Sequence, residues 1–243
     1  MASSTANPKS QTSAATQKNA EESGLSARTK SAAAKSSATK AKLKRRALPA
    51  EDRRQQLIKA TIKCIARQGL SATTMANITS EAGLSMGIVN LHFQSKEKLL
   101  VETLRTVADE YLDGWRTITR SNTLEAAEKI RALIEFDFSA KVTQREKLAV
   151  WFAFWGEAKS RPVYQKICAK NDNETAAQLN ALCLELLPAG PDAVEDADIA
   201  ASGYTALVDG LWLDILLTPR EMPREKAIKI CLNYLGALFP EQF

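Results

Sequence analysis

The chain has 243 residues, 45% of them apolar, and a formal net charge of +5, enough length to bury one large core or two modest ones. No apolar run approaches the ~18 residues of a membrane-crossing helix, and the opening "MASSTANPKS" lacks an apolar secretory segment, so a cytosolic protein without a membrane span is expected. Four widely spaced cysteines, a single histidine and the lack of G-x-S-x-G or a Gly-rich phosphate loop argue against a metal site, a disulfide framework and an enzyme, so no catalytic residue and no cofactor is assigned.

Charge is unevenly placed. Residues 1–48 carry ten Lys and Arg against two acids, a formal +8, which leaves residues 49–243 at −3. This segment is mostly Ala, Ser, Thr and Lys, too poor in apolar surface to offset its conformational entropy, and is expected to be a disordered basic tail. Its end, "KAKLKRR", puts five positive charges in seven residues just before the first helical pattern. Such a run can follow a phosphate backbone, and it can equally be a solubilising tail.

From Pro49 onward the periodicity is helical. In "AEDRRQQLIKATIKCIARQGL" the residues Leu57, Ala60, Thr61, Cys64 and Ile65 recur at three- and four-residue steps, and Gly69 reads as the stop. A second, two-turn helix begins after Thr74, a candidate N-cap, and ends at Gly83. Ser85 is placed to cap a third, "MGIVNLHF", with Ile88 and Val89 inward and Met86, Gly87, Asn90 and His92 outward. Helices this short survive only by packing on neighbours. Two of them joined by a tight turn and braced by a longer one fit a helix-turn-helix that reads a DNA major groove.

The span from about Arg53 to Leu100, with "TTMANITSEAGLSMGIVNLHFQSKEKLL" at its centre, resembles the DNA-binding domain of TetR-type transcriptional regulators. The resemblance implies an all-α protein whose helix-turn-helix domain, residues 49–95, is joined by helix four to a ligand-binding and dimerisation domain, residues 96–243. It also implies a double-stranded DNA operator and a homodimer, and a small-molecule effector that releases the DNA. Thr74, at the entry to helix two, joins the DNA-binding residues; Ser85, Met86, Gly87 and Asn90 become groove-facing, and His92 and Lys96 become phosphate contacts. Tyrosine often stands in the family where this chain has Asn90 and His92, and a polar residue where it has Leu91. His92 can also simply cap or pack at the end of the reading helix.

Helix four is predicted from Ser95 to about Ile118, and further helices over 123–139, 144–159, 162–187, 195–217 and 223–239, with breaks at Pro162, "LLPAGPDA" and Pro219/Pro223. "AVWFAFWGEA" places Trp151, Phe154, Trp155 and Ala158 on one helical face, and "ALVDGLWLDILL" sets Asp209 three residues from Trp212 in an apolar stretch. An isolated buried carboxylate needs a partner. Either a hidden Arg or Ser supplies it within an ordinary aromatic core, or Trp151, Trp155, Trp212, Tyr111 and Trp115 form a cage that attracts a cation by about 2 kcal/mol once desolvated. Gly203, Leu207, Gly210, Leu211, Cys231, Tyr234 and Leu238 on the last two helices are expected at a four-helix dimer interface.

Those C-terminal segments, with "IKICLNYLGALFP", are similar to the BetI-type branch of the TetR family, which responds to choline. That implies choline or another quaternary amine as effector. A TetR-type regulator of other metabolism with a lipophilic or acyl effector, and an architectural DNA-binding protein, are the competing expectations.

Overall fold

The computed structural model describes residues 49–243. The expectations for the basic tail concern residues outside that range. Among the described residues there are nine α-helices and no strand: α1 (Ala50–Ala72), α2 (Met75–Ala82), α3 (Met86–Phe93), α4 (Lys96–Thr119), α5 (Ala126–Asp137), α6 (Arg145–Ala158), α7 (Pro162–Leu186), α8 (Ala193–Leu217) and α9 (Arg224–Leu238). The all-α expectation and the order of helices match this architecture.

Local chemistry explains the first turns. Gly69, expected to end α1, instead breaks it at φ 80° and lets a last turn run on to Ala72. Thr74 caps α2: its hydroxyl accepts from the Asn77 N–H at 3.2 Å, while the Asn77 side chain accepts the Thr74 N–H at 3.1 Å. Gly83, left-handed at φ 63°, closes α2 with a 3.1 Å bond from its N–H to the Ser80 carbonyl. Ser85 stands at the start of α3, but its hydroxyl makes no capping bond, so the expected side-chain cap is absent. Ser95 does cap α4, accepting from the Lys98 N–H at 3.2 Å.

Two apolar clusters follow from this. The smaller one joins Leu57, Ile58 and Cys64 of α1 to Ile78 and Ala82 of α2, Val89 and Phe93 of α3, and Leu99 in the first turn of α4. This cluster makes the two short helices viable. Arg54 braces it from outside: its guanidinium lies 4.8 Å over the Phe93 ring and reaches Glu102 at 3.0 Å. The larger cluster is built round α7, which packs against α4, α5, α6 and α8, with α9 laid on α8. Long polar contacts tie the corner between α6 and α7 to the reading end, with Arg161 Nη1 3.0 Å from Glu97 and the Ser71 hydroxyl donating to Glu157 at 3.5 Å.

The membrane expectation rests on unbroken apolar runs, and α8 passes a looser test, with mean hydropathy 1.2 over its best 18-residue window. Its apolar character has a local cause. Ala197, Ala200, Ala201, Tyr204, Val208, Leu211, Trp212 and Ile215 are buried in the larger core, whereas Val194, Ile199, Leu213 and Leu217 are exposed.

Candidate functional site

The reading head presents a continuous outer face. Thr74, Ser85, Met86, Gly87 and Asn90 are exposed, and His92 and Lys96 are half-buried along the edge leading into α4. Val89 and Phe93 on the opposite side of α3 are fully covered, so the face is held rigidly. Leu91 is 78% exposed between Asn90 and His92, an apolar side chain projecting from the same face. The bend between α3 and α4 is tight. Gln94 sits at φ 60°, unusual for a residue with a Cβ, and its side chain accepts from Lys98 Nζ at 2.5 Å.

The second site lies in the large helical cluster. Tyr111 and Trp115 from α4, Trp151 and Trp155 from α6 and Trp212 from α8 are brought together to line one cavity with Asp209. The cavity is small, about 40 Å³ in volume. Tyr111 is the hub of the rings: Trp212 meets it edge-on at 5.4 Å and Trp151 at 6.3 Å, and Phe136 stacks on it at 5.8 Å. Trp155 extends the wall, 5.9 Å from Trp151.

The carboxylate that organises these rings is Asp137, at the end of α5 and fully buried. One oxygen accepts from Tyr111 Oη and Trp115 Nε1, each at 2.9 Å, and the other accepts from Tyr204 Oη at 2.8 Å. Trp212 Nε1 donates to the Asp137 carbonyl at 2.9 Å, so α4, α5 and α8 converge on this one residue. Burial drives the Asp137 pKa up to about 7, although the three donors act to lower it. Asp209 rises to about 6 through burial and the neighbouring Asp172 carboxylate. Neither Asp209 nor Asp172 is ion-paired among the described residues, so the Arg or Ser partner considered for Asp209 is not found.

Asp137, Asn171 and Asp172 are cavity residues that sequence reasoning missed. Asp137 carried a weaker signal than Asp209, an acid between Phe136 and Phe138 but with Glu135 only two residues before it. Asn171, on α7, is 5% exposed and lines the cavity, and its Oδ1 has no hydrogen-bond partner.

The expected interface residues divide. Leu238 and Gly210 are exposed, and Leu207, Gly203 and Tyr234 half-buried. Leu211 and Cys231 are covered within the subunit itself, at 5% and 0% exposure, so they are core residues and not interface contacts. Burial, with Asp137 nearby, pushes the Cys231 thiol up to about 12, as befits an inert core group. The close crossing at Gly203 is also internal: a Cβ there would overlap the Tyr234 hydroxyl, which donates to the Ala200 carbonyl at 3.3 Å.

A helix-turn-helix head mounted on a helical domain with an aromatic-lined cavity is the plan of a one-component DNA-binding regulator. Comparison with known proteins agrees. The profile of bacterial regulatory proteins of the TetR family matches residues 57–103, and that of the BetI-type transcriptional repressor C-terminal domain matches residues 126–240. The HTH-type transcriptional regulator BetI of Paraburkholderia phytofirmans is 33% identical over 186 residues, covering 76% of this chain and 92% of that one. The BetI 2 regulator of Chromohalobacter salexigens is 35% identical over 189 residues, covering 76% and 88%. Among solved structures, a transcriptional regulator of Pseudomonas aeruginosa superposes with TM-score 0.69 at 29% identity, covering 80% of this chain and 94% of its own. A Saccharomonospora viridis regulator solved in complex with choline superposes with TM-score 0.65 at 20% identity, covering 76% and 96%, a likeness of fold. The chain belongs to the TetR family of transcriptional regulators, with a BetI-type C-terminal domain. Members of this family bind DNA, usually as dimers, and answer to small molecules; they are not enzymes.

Proposed function

We propose that this protein is a cytoplasmic repressor that grips a palindromic operator as a homodimer and lets go when a quaternary amine such as choline enters the aromatic cavity. Residues 49–95 would read the DNA, and residues 96–243 would bind the effector and pair with the second subunit. The observation that carries the reading is the cavity: three carboxylates, Asp137, Asp172 and Asp209, border rings from α4, α6 and α8, and none is ion-paired among the described residues. Ring faces attract a quaternary ammonium through their quadrupole, and nearby carboxylates add Coulombic attraction without needing a donor hydrogen. The same carboxylates disfavour an acyl anion as effector. The BetI relatives, and the choline held by one structural neighbour, support the choice of cation.

On the DNA side, Ser85, Met86, Gly87 and Asn90 would face base edges, with Leu91 offering apolar contact to a thymine methyl group and His92 and Lys96 meeting phosphates. The half-buried Leu207 and Tyr234, with exposed Leu213, Leu217 and Leu238, would lie against the partner subunit. Helix α4 connects the two functions mechanically. At 1.5 Å per residue, Tyr111 lies about 22 Å along the helix from Lys96, so a tilt of about 10° at the pocket moves the head by roughly 4 Å. Two heads spaced for successive major grooves, about 34–36 Å apart, would lose register. A coupling of about 1–3 kcal/mol suffices for induction.

Selection of binding sites from random duplexes by the full chain should return a palindrome. In mobility-shift titrations, millimolar choline should weaken that complex while leaving binding to a scrambled duplex unchanged. Recovery of no palindrome would defeat the operator reading, and an unmoved titration the effector reading.

A further inference from the structure

The reading head is poorly equipped to hold DNA by charge. From Thr74 to Ser95, the span that contains α2 and α3, there is no Lys or Arg, and Glu81 adds a negative charge. Cations of α1 are engaged within the head or against α4. Arg67 and Lys63 lie 3.2 and 3.4 Å from Glu81, Arg54 holds Glu102 and covers the Phe93 ring, and Arg53, 4% exposed, donates to Gln56 at 2.8 Å. Lys96 and Lys98 stand beside the reading helix at the start of α4, but residues 49–243 together carry a formal −3. Affinity for duplex DNA comes largely from cations that neutralise phosphates and release counterions.

The missing charge stands in the sequence just before α1. Residues 1–48 carry a formal +8, and five of their ten cations, Lys40, Lys42, Lys44, Arg45 and Arg46, fall within seven residues next to the head. A segment that served solubility alone would gain nothing from that placement. It also lies outside the TetR-family match, which begins at residue 57. The head fixes where the segment is attached. Arg54 Nη1 donates to the His92 carbonyl at 3.4 Å and Gln56 Nε2 to the Ala82 carbonyl at 2.7 Å, so the first turns of α1 are tied to the ends of both short helices. The chain therefore enters α1 close to His92, on the edge of the head that leads to Lys96. Ten residues separate Lys40 from Ala50, and at about 3.6 Å each they can reach at most about 36 Å, roughly ten base pairs.

We infer that residues 40–46 form a second DNA-binding site, which neutralises backbone phosphates flanking each half-site and supplies most of the electrostatic affinity that the head lacks. The inference rests on the reading of residues 49–95 as the DNA-binding head and adds a sequence-independent contact to it. The two parts divide the work: α3 chooses base pairs, and the basic segment holds the duplex. Phosphate contacts carry no base information. The segment would therefore raise affinity for the operator and for other duplexes by the same factor.

The test is titration of duplex DNA with the full chain at about 50 to 400 mM salt. Wild type is compared with a full chain carrying Lys40→Gln, Lys42→Gln, Lys44→Gln, Arg45→Gln and Arg46→Gln together. Each phosphate contact contributes about 0.9 to the slope of log K against log salt, so removing these charges from both subunits of a dimer should make it shallower by about 4 if half engage and about 9 if all do. At about 150 mM salt, affinity should fall at least tenfold on the selected operator and on a scrambled duplex alike. The ratio between the two should stay within about twofold, and the thermal midpoint should not move. Wild-type affinity for the operator should rise as flanks of up to about ten base pairs are added and then level off, whereas the variant should be indifferent to them. Lys40→Arg, Lys42→Arg and Lys44→Arg together keep the charge and should keep the slope. An unchanged slope in the glutamine variant overturns the inference and leaves the segment a solubilising tail. A lost operator preference overturns it as well, since the segment would then be reading bases. The slope can be measured on any duplex, so failure to select a palindrome defeats the operator reading and not this one; if the wild type binds no duplex, both fall. Should the glutamine variant precipitate, the flank series on the wild type decides, and affinity that ignores flank length overturns the inference.

Discussion

Replacing Asp137 gives the sharpest test of how the pocket is held. In Asp137→Leu, Tyr111 Oη, Trp115 Nε1 and Tyr204 Oη lose the oxygens that accept from them at 2.8–2.9 Å. Each orphaned buried donor costs about 1–3 kcal/mol. The sum, roughly 3–9 kcal/mol, is comparable with the whole stability of a typical domain, so this variant should be unfolded or nearly so. Asp137→Asn keeps one carbonyl oxygen and should cost about 1–3 kcal/mol near neutral pH. The comparison also depends on pH. Because burial raises Asp137 from 3.8 to about 7 in the folded protein, the folded state holds the proton more tightly than the unfolded chain. Its contribution to stability is complete below pH 4 and declines as pH rises through 7, by roughly 2–3 kcal/mol between pH 5 and pH 8. The amide does not titrate, so the advantage of wild type over Asp137→Asn should shrink by that amount over the interval. Urea unfolding of the three proteins at pH 5 and pH 8, at one protein concentration, measures both effects. An Asp137→Leu cost below about 1 kcal/mol, or a gap that does not narrow, would refute the reasoning.

Four further outcomes are expected. Choline should bind more tightly at pH 8 than at pH 5, with proton release, because Asp209 and Asp137 rise to about 6 and 7 on burial and a cation favours their ionised forms; calorimetry in buffers of different ionisation enthalpy reads the protons directly. Gly114→Ala should destabilise by about 1–3 kcal/mol and weaken cation binding, since the new methyl overlaps the Phe136 ring that stacks on Tyr111; thermal unfolding and titration check the two parts. Lys96→Ala should weaken operator and scrambled duplexes alike and reduce the salt slope by about 1, whereas Asn90→Ala should change which half-site is selected. Thr74→Ala should lose about 1 kcal/mol through its cap on α2, measured by urea unfolding.

The head was legible because its signals are local. Thr74 with Asn77, Gly83, and Ser95 with Lys98 act within four residues, so spacing alone marks the breaks. The aromatic wall of α6 was legible for the same reason, as Trp151 and Trp155 share a face by helical geometry. Asp137 was not, because its donors lie 22, 26 and 67 residues away and only the packing of α4 and α8 brings them to it. Helices α8 and α9 misled in another way. Both carry apolar residues around much of their circumference, so periodicity could not tell that Leu211 and Cys231 face inward while Leu217 and Leu238 face out.

The chain holds four tryptophans, and all four, Trp115, Trp151, Trp155 and Trp212, border the same cavity. Its tryptophan emission is therefore a native reporter of that cavity. Quenching or a wavelength shift on adding a compound would signal occupancy without a label, and tryptophan emission followed after rapid mixing with the compound would time the pocket's own response, for comparison with release timed on a labelled duplex.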